Sequence, residues 1–260
     1  MSYLDDLLAS TAARVSEAKE HVTPEVLEQR VAAQEGPRGF AAALGGEGVT
    51  LIAEIKRASP SKGVLDADLN AAALAHAYAA GGAAALSVVT EPDHFGGSLD
   101  DLEAARVAGL PVLRKDFVID AWQLLEARAA GADAVLLIVR VIGDELSALL
   151  SVARSLRMDE LVEVHDADDL ARALEAGARL VGVNHRDLAT FTLDAGRTAK
   201  LAPLVPDGIP LVALSGVSRR ADVTALAAAG AHAVLVGEAL VTSPDPAAKL
   251  RALLGERAAR

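Results

Sequence analysis

The sequence predicts an α/β protein, a (β/α)8 or TIM barrel with an N-terminal helical extension. One pattern recurs four times: an Ala-rich amphipathic stretch, a Gly flanked by small residues, and a short apolar run. A Gly at the end of a helix can adopt a positive φ, which lets the chain turn into a strand. The apolar runs lack alternation, which is typical of parallel strands buried on both faces. The four glycine breaks are 80–83, 130–132, 176–178 and 229–231.

Four further apolar segments lie between these units and bring the predicted strands to eight. Eight parallel strands linked by helices over roughly 200 residues fit a closed barrel. An open, doubly wound sheet is the alternative, but no glycine-rich dinucleotide fingerprint follows the first strand. The predicted strands are VTLIAEIK (49–56), AALSVVT (84–90), LPVLRKD (110–116), AVLLIV (134–139), ELVEV (160–164), LVGVN (180–184), IPLVALS (209–215) and AVLVGE (233–238).

The chain is expected to form one domain over 1–260, a length that suits a single large barrel. The barrel is predicted to occupy 49–260. Residues 1–48 precede the first strand and are predicted to form one or two helices packed against the barrel. Thr23 followed by Pro24 is a plausible helix start within this extension.

Composition and charge exclude several classes of protein. Hydrophobic residues make up 52% of the chain and aromatic residues only 3%, so a large core must be built mainly from Ala, Leu and Val. The net charge of −11 argues against a nucleic-acid partner, because a phosphate backbone demands clustered Lys and Arg. Without cysteine, the chain has no disulfide, thiolate nucleophile or Cys-ligated metal.

The first residues, MSYLDDLLAS, are acidic and lack the basic and apolar regions of a secretory signal. The apolar runs are much shorter than a membrane span. We therefore expect a cytoplasmic protein with no membrane partner. A small anionic substrate is compatible with this composition, because a local cationic pocket can lie inside an acidic protein.

Charged and amide side chains stand at the ends of predicted strands, where barrel enzymes place their chemistry. Glu54 and Lys56 are two residues apart and therefore on the same side of the first strand. Lys115, Glu163 and Asn184 end the third, fifth and sixth strands. Charges facing a barrel interior are costly unless they are paired, and two lysines with two carboxylates can pair. The alternative is a set of solvated salt bridges on the rim, each worth about 0–1 kcal/mol.

The seventh and eighth strands end in Ser215-Gly216 and Gly237-Glu238. These glycines allow backbone N–H groups to approach a ligand. In this fold phosphate commonly binds in the loops after these two strands, at the start of a short helix. Tight local packing is the alternative reason for glycine at either position.

Seven segments of the chain carry a further signal, in their order and spacing: AEIKRASPSKG (53–63), SVVTEPDHFGGSLDDL (87–102), PVLRKDFVID (111–120), EARAAGADAVLLIV (126–139), LVEVH (161–165), VGVNHRDLATF (181–191) and AVLVGEALV (233–241). Together they resemble the indole-3-glycerol phosphate synthase family over nearly the whole chain from about residue 49 onward. The resemblance implies conversion of 1-(2-carboxyphenylamino)-1-deoxyribulose 5-phosphate into indole-3-glycerol phosphate, with release of carbon dioxide and water. It implies no metal and no organic cofactor.

The resemblance also implies roles for the polar residues. Lys115 is expected to act as general acid toward the C2′ carbonyl oxygen. Lys56 is expected to hold the substrate carboxylate or to donate a proton later, and which lysine acts first stays open. Glu163 is expected to serve as acid or base in the dehydration. Glu54 and Asn184 are expected to orient the lysines and the substrate hydroxyls.

Substrate contacts are expected from three groups of residues. The phosphate would be held by Lys56 and by backbone N–H groups of Gly216, Gly237 and Glu238, with help from Ser59 and Ser215. The anthranilate ring would lie in an apolar slot, and Arg186 is a further expected contact. The candidates for the slot are Pro60, Phe95, Phe117, Leu136, Ile138, Leu161 and Leu188.

Two positions depart from the family pattern. Leu214 stands where the family usually has Glu, which puts the proton balance of the lysines in question. His185 stands where a small polar residue is common, and we interpret it as tolerated. His165-Asp166 and Asp168-Asp169 have no second ligand pair at metal-binding spacing and are expected to be a loop and a helix start.

Other functions remain as alternatives. One is a Schiff-base aldolase that uses Lys56 or Lys115 as nucleophile. Isomerisation of phosphoribosylanthranilate would need a different acid–base pair. A catalytically weakened phosphate-binding homologue would follow from Leu214. The expected partner is a small sugar phosphate, and the chain is expected to be a monofunctional monomer with at most weak association with other enzymes of tryptophan biosynthesis.

Overall fold

The computed structural model describes residues 3–46, 48–60, 62–187 and 190–255. Eight of its strands close into a parallel barrel, and two short strands form an antiparallel hairpin. In chain order the strands are β1 (Thr50–Ile55), β2 (Ala58–Ser59), β3 (Gly63–Val64), β4 (Ala85–Val89), β5 (Val112–Lys115), β6 (Ala134–Ile138), β7 (Asp159–Val164), β8 (Val181–Asn184), β9 (Leu211–Leu214) and β10 (Ala233–Val236).

Barrel strands that follow one another in the chain are neighbours, and β1 also pairs with β10 to close the ring. This arrangement confirms the predicted (β/α)8 barrel and excludes the open sheet. Each predicted strand is present, although most are one to three residues shorter than predicted because their ends turn into loops. The hairpin of β2 and β3 was not predicted, since two-residue strands leave no periodic signal in a sequence.

Helices connect the strands and cover the barrel. They are α1 (Tyr3–His21), α2 (Pro24–Ala33), α3 (Phe40–Ala43), α4 (Ala71–Gly81), α5 (Pro92–Phe95), α6 (Leu99–Ala105), α7 (Ala121–Ala129), α8 (Val139–Ile142), α9 (Leu146–Ser155), α10 (Ala167–Glu175), α11 (Arg197–Leu201), α12 (Arg220–Ala228), α13 (Glu238–Val241) and α14 (Pro246–Leu254). Among the residues described, no helix combines the length and apolarity needed to cross a bilayer.

The segment before β1 is helical, as predicted, but it contains three helices where one or two were expected. Thr23 is the N-cap of α2 and Pro24 is its first residue, as predicted. The third helix is short, and its Phe40 is fully buried together with Leu44 against the side chains inside the barrel. Helix α3 therefore closes the end of the barrel opposite to the carboxyl ends of the strands.

The glycine breaks end helices in the predicted way. Gly82, which follows α4, has φ +91° and its N–H bonds to carbonyls of the last turn of the helix. Gly131, which follows α7, has φ +88°. L side chains rarely adopt this conformation, so glycine is the residue that lets the chain leave these helices within one or two residues.

Side chains alternate between two cores. Along β1, Ile52 faces the barrel interior, whereas Leu51 and Ala53 pack against the surrounding helices. Because successive side chains of a strand point to opposite faces, Glu54 continues the inward row at the carboxyl end. The inner core is apolar and consists of Phe40, Leu44, Ile52, Ala85, Leu113, Ala134, Leu136, Ile138, Leu161, Leu180, Val212, Leu214, Ala233 and Leu235. The polar site rests on this layer.

Candidate active site

A cavity of about 540 Å³ lies over the carboxyl ends of the barrel strands. The residues predicted from separate strand ends converge on it. Those that line the cavity are Glu54, Lys56, Ser59, Pro60, Phe95, Lys115, Phe117, Leu136, Ile138, Glu163, Asn184, Arg186, Ser215, Gly216, Gly237 and Glu238. The alternative of scattered rim salt bridges is therefore wrong.

Two other residues, Leu161 and Leu188, were also predicted to contact the aromatic ring of the substrate. Leu161 is fully buried in the inner core and does not line the cavity, so its assignment as a ring contact is wrong. It faces inward like Glu163, but it precedes that residue by two positions and lies about 7 Å deeper along the strand. Leu188 lies outside the described residues.

Glu54 joins the two lysines. Its Oε2 lies 2.8 Å from Nζ of Lys56, and its Oε1 lies 3.7 Å from Nζ of Lys115. The Glu54 side chain is only 4% exposed. Burial alone would raise the pKa of this carboxyl, but the two ammonium groups outweigh burial and hold the pKa below its ordinary value. An ionised Glu54 therefore fixes both lysines on one side of the cavity.

Gly237 provides the space for this carboxylate. A Cβ at position 237 would lie 2.1 Å from Oε2 of Glu54 and 3.2 Å from its Cβ. Real carbon atoms do not approach an oxygen so closely, so any side chain here must displace Glu54. Gly237 was predicted as a phosphate contact, and the structure gives it this second reason to be glycine.

Replacing Gly237 with alanine is expected to lower kcat about tenfold to a hundredfold, because Glu54 moves and the lysines lose their fixed geometry. Steady-state kinetics and a thermal melt check this. Gly36→Ala is the matched control, since a Cβ there meets no atom within 4 Å. A Gly237→Ala enzyme with unchanged kcat and a raised KM would contradict the effect through Glu54 and leave only a phosphate contact.

Asn184 links the second carboxylate to the loop after β9. Its Nδ2 donates to Oε1 of Glu163 at 2.9 Å, and its Oδ1 accepts from the Ser215 hydroxyl at 2.8 Å. The backbone N–H of Arg186 donates to the same Oδ1 at 3.0 Å. These bonds fix the orientation of the Asn184 amide, because each of its ends has a defined partner. The amide in turn holds Glu163 facing the cavity.

The loop after β9 has an unusual backbone. Ser215 and Gly216 both have positive φ, +70° and +83°. Positive φ is uncommon for a residue other than glycine, and such residues concentrate at functional sites. Because Ser215 already donates its hydroxyl hydrogen to Asn184, a phosphate oxygen near this loop would be bound by backbone N–H groups.

Ser59 is available to a ligand. Its Oγ is buried and has no hydrogen-bond partner within the part of the chain that the structure describes, yet the residue lines the cavity. A buried hydroxyl without a partner is rare in proteins. Lys62, directly before β3, is exposed, and its Nζ lies 3.8 Å from Oε1 of Glu238. The hairpin loop and the start of α13 therefore face each other across the expected phosphate position.

Three of the four phenylalanines line the cavity, namely Phe95, Phe117 and Phe191. The rings of Phe95 and Phe117 are 6.5 Å apart. The fourth, Phe40, is at the opposite end of the barrel. Phe191 was not predicted as a site residue, although the scarcity of aromatic residues could have singled it out. Aromatic walls suit the planar ring of the expected substrate.

Helix α1 also contributes to the cavity, through Tyr3, Leu4 and Leu7. The Tyr3 ring makes edge contacts with His94 and Phe191, at centroid distances of 5.3 Å and 5.0 Å. These residues were missed from the sequence. Nothing in an isolated amphipathic helix tells which end of a barrel it covers.

Arg14 anchors α1 to the barrel. Its guanidinium lies 3.3 Å from Glu91 and 3.3 Å from Asp116, and the side chains of both carboxylates are 1% exposed. Asp116 follows Lys115 directly and also pairs with the buried Arg114 at 3.0 Å. The ion pairs of Arg14 thus connect α1 to the strand that carries Lys115.

Arg14→Met is expected to lower the free energy of unfolding by about 2 kcal/mol, because two buried carboxylates lose a charged donor. It is also expected to raise KM severalfold with little change in kcat, since α1 forms one wall of the cavity. Lys19→Met is the control: Lys19 lies on the same helix, but its ion pair with Asp120 is exposed. Equal effects of the two substitutions would contradict the anchoring role.

His185 connects two loops of the site. Its Nδ1 lies 3.1 Å from the Ser215 carbonyl, and its Nε2 lies 2.7 Å from the Thr198 hydroxyl. Burial lowers the pKa of His185 and outweighs the bond with the Ser215 carbonyl, which raises it; Arg197 lowers the pKa further. The neutral ring, donating from Nδ1 and accepting at Nε2, satisfies both contacts. His185 is therefore a structural link between these loops.

The stability contributed by the neutral His185 is expected to be lost in acid. Below the ordinary pKa of 6.5 the unfolded chain takes up a proton that the folded ring resists, so the unfolding free energy falls as the pH drops below that value. His185→Asn keeps a donor for the Ser215 carbonyl but does not titrate. Thermal melts at pH 7.5 and about pH 5.5 should show the advantage of the parent over this variant shrinking in acid. An advantage that is constant with pH would contradict the expectation.

Leu214 lines the floor of the cavity and is 1% exposed. Its Cδ1 lies 2.9 Å from where a Cβ at Gly182 would be. The position usually held by Glu in the family is thus part of the apolar layer here. Among the described side chains that point inward from the barrel strands, Glu54 and Glu163 are the carboxylates that line the cavity.

The residues after β7 do not form a metal site in the described ranges, where no group of three or more His, Asp or Glu is placed to hold an ion. Asp166 is the N-cap of α10 and accepts from the backbone N–H of Asp169 at 2.9 Å. The predicted loop and helix start are therefore confirmed.

Known proteins resemble this chain over nearly its whole length. The family model for indole-3-glycerol phosphate synthase matches residues 4–253. A relative of that name from Parafrankia sp. is 51% identical, over 95% of this chain and 92% of the relative. Relatives of the same name from Streptomyces griseus and Roseiflexus sp. are each 47% identical, over 98% and 97% of this chain and 95% and 98% of their own.

Solved structures show the same fold at low identity. Orotidine 5′-phosphate decarboxylase from Pyrococcus horikoshii has a TM-score of 0.60 at 15% identity, over 78% of this chain and 97% of its own. Thiamine phosphate pyrophosphorylase from Pyrococcus furiosus has a TM-score of 0.59 at 15% identity, over 79% and 93%. These two matches support the barrel alone. The family match and the relatives near half identity, together with the convergent site, show that the chain belongs to the indole-3-glycerol phosphate synthase family.

Proposed function

We propose that this chain closes the indole ring, converting 1-(2-carboxyphenylamino)-1-deoxyribulose 5-phosphate into indole-3-glycerol phosphate, carbon dioxide and water. The observation that carries the proposal is the pair of lysines held on one buried carboxylate. They share a cavity with a second carboxylate and an aromatic wall. An anionic substrate with a planar ring needs this combination of cations and apolar surface.

Ring closure needs a proton at the C2′ carbonyl oxygen while the ring carbon attacks C2′. Lys115 supplies this proton. Its ammonium is 3.7 Å from Glu54, whereas that of Lys56 is held at 2.8 Å. The looser ammonium is the better candidate for a group that must leave its carboxylate and reach the substrate. Lys56, held more tightly, acts as the fixed cation that binds the substrate carboxylate until carbon dioxide leaves.

Dehydration then removes the C2′ hydroxyl as water and requires proton transfers on the sugar side of the cavity. Glu163 is the acid–base group for this step, held in position by Asn184. A carboxylate so placed contributes about a hundredfold to ten-thousandfold to a rate. Glu54 holds its two lysines in place and takes no part in proton transfer.

The phosphate binds beside the loops that follow β9 and β10. Backbone N–H groups of Gly216, Gly237 and Glu238, together with the unpartnered hydroxyl of Ser59, are its donors. Lys56 was expected to contribute to phosphate binding as well. Its short contact with Glu54 favours the carboxylate end of the substrate for this lysine.

The direct test is to incubate purified protein with the carboxyphenylamino-deoxyribulose phosphate and follow indole fluorescence. A rise that scales with enzyme concentration supports the proposal. Absence of any rise at high enzyme concentration would overturn it. The reaction with substrate lacking the phosphate serves as a control, since it should proceed with a much higher KM.

A Schiff-base mechanism is disfavoured by the same geometry. A lysine nucleophile must be free to reach a carbonyl carbon, whereas Glu54 lies 2.8 Å from Lys56 and 3.7 Å from Lys115. Borohydride treatment in the presence of substrate should therefore leave no covalent adduct on Lys56 or Lys115, as mass spectrometry of tryptic peptides can check.

We further propose that the protein acts in the cytoplasm as a monomer on a free sugar phosphate, independently of nucleic acid and membranes. Weak association with other enzymes of tryptophan biosynthesis is compatible with this proposal. Sedimentation equilibrium measures the state of assembly, and a mass near twice that of the chain would contradict the monomer.

A further inference from the structure

His165 is a buried histidine that the ring-closure chemistry does not use. It follows β7 directly, its side chain is 0% exposed, and it does not line the cavity. Its Nε2 lies 3.5 Å from Oε1 of Glu163, and its Nδ1 lies 3.7 Å from Oδ2 of Asp169. Within the described residues, neither ring nitrogen has a partner at hydrogen-bond distance. Such a group is costly in a folded chain unless a small movement gives it partners.

Asp169 is a fixed acceptor behind the ring. Its Oδ2 accepts from Nε of Arg140 at 2.7 Å and from the backbone N–H of His165 at 2.9 Å. Burial would raise the pKa of Asp169, but its bonds with His165 and Arg140 hold the pKa below its ordinary value. Asp169 is therefore a carboxylate that can only accept. Nδ1 of His165 lies 3.7 Å from it.

The ring consequently stands between two carboxylates. Glu163 faces it from β7, Asp169 faces it from α10, and Arg140 of α8 pairs with both Asp169 and Asp166 on the outer side. The row Glu163, His165, Asp169, Arg140 runs from the cavity to the surface.

We propose that His165, packed between Asp169 and Glu163, is a positioning residue for the acid–base chemistry of Glu163: it presents Nε2–H to Oε1 of Glu163. Asn184 donates to the same oxygen at 2.9 Å, so the two donors fix the carboxylate from two sides. His165 thus keeps the carboxylate of Glu163 aimed at the cavity. This inference rests on the proposed role of Glu163.

Replacing His165 with glutamine or with asparagine distinguishes the roles of its two ring nitrogens, because both amides are close in shape to part of the imidazole. In His165→Gln the amide nitrogen reaches the position of Nε2, toward Glu163. In His165→Asn it reaches only the position of Nδ1, toward Asp169. Both variants keep a buried polar group of similar size, so a difference between them reports the contact with Glu163. His76→Gln, on the exposed face of α4, is the control.

His165→Asn is expected to lower kcat about tenfold to a hundredfold at unchanged KM. His165→Gln is expected to restore most of kcat. Equal kcat for the two variants would overturn the proposal, as would kcat within twofold of the parent for both. Circular dichroism verifies that both are folded. If His165→Asn is not, Asp169→Asn, which removes the charge behind the ring, should show the same loss of kcat at unchanged KM.

Glu163→Gln separates this inference from the proposed role of Glu163. In the Glu163→Gln background, His165→Asn should cause no further loss of kcat, because the group it positions is gone. A full additional loss would indicate a merely structural role for His165 and overturn the inference. If Glu163→Gln alone leaves kcat unchanged, the role of Glu163 itself fails. If Glu163→Gln is inactive while both His165 variants are normal, only the inference about His165 fails.

Discussion

Replacing Lys115 with methionine should lower kcat for ring closure by about a thousandfold or more, because the proton needed at the C2′ oxygen then has to come from water. Methionine has nearly the length of lysine and no charge, so packing along β5 is retained. Substrate binding should weaken less than kcat, since Lys56 and the phosphate contacts remain. Single-turnover measurements of indole fluorescence separate the two effects.

The control for this experiment is Lys62→Met. Lys62 also lines the cavity, but its side chain is 60% exposed and its contact with Glu238 is 3.8 Å long. An exposed cation at the mouth changes attraction of the anionic substrate, so its loss should affect KM and leave kcat nearly intact. A Lys115→Met enzyme that loses no more than a few-fold in kcat would assign the first proton transfer to another group.

Lys56→Met distinguishes the two lysines. If Lys56 is the fixed cation, its loss should raise KM strongly as well as lower kcat, because the substrate carboxylate loses its partner. The two variants are therefore distinguished by the ratio of the change in KM to the change in kcat. This ratio does not depend on which variant has the lower kcat.

Much of this site could be predicted from the sequence because strand geometry restricts where side chains point. Glu54 and Lys56 are two apart, so they face one side, and parallel strands in a barrel end on one rim. Once the strands ending at Lys115 and Glu163 were assigned to the same barrel, their side chains had to approach the same cavity. The family resemblance then supplied the chemistry.

The alternation of side chains along a strand does not show how deep inside the barrel a residue lies. Leu161 and Glu163 point the same way, yet one is in the core and the other in the cavity. The ring contact assigned to Leu161 failed for that reason. A register between neighbouring strands is needed to place residues in layers, and a sequence without the structure does not contain it.

Contacts between elements far apart in the chain also could not be predicted from the sequence. Tyr3 lies on a helix whose docking depends on the ion pairs of Arg14 with Glu91 and Asp116. Gly237 looked like a phosphate contact, but its lack of a side chain also makes room for Glu54. Neither relation leaves a trace in local composition, since each depends on side chains meeting across the barrel mouth.

Glu54→Gln is expected to lower kcat about a hundredfold, because two ammonium groups lose the carboxylate that holds them and repel each other. Glutamine keeps the size of the side chain, so Gly237 still accommodates it. Steady-state kinetics of the parent and the variant test this expectation.

The same substitution has a defined effect on stability. The pKa of Glu54 is lowered in the folded state, so its ion pairs stabilise the fold above the ordinary pKa of 4.5 and this contribution is lost as the pH falls through the folded value. The parent should therefore be more stable than Glu54→Gln at pH 7 by about 2 kcal/mol, less than for a fully buried pair because both lysines are partly exposed. The difference should shrink in acid below about pH 4.5. Were the variant as stable as the parent at pH 7 and its kcat unchanged, Glu54 would not be the group that holds the two lysines.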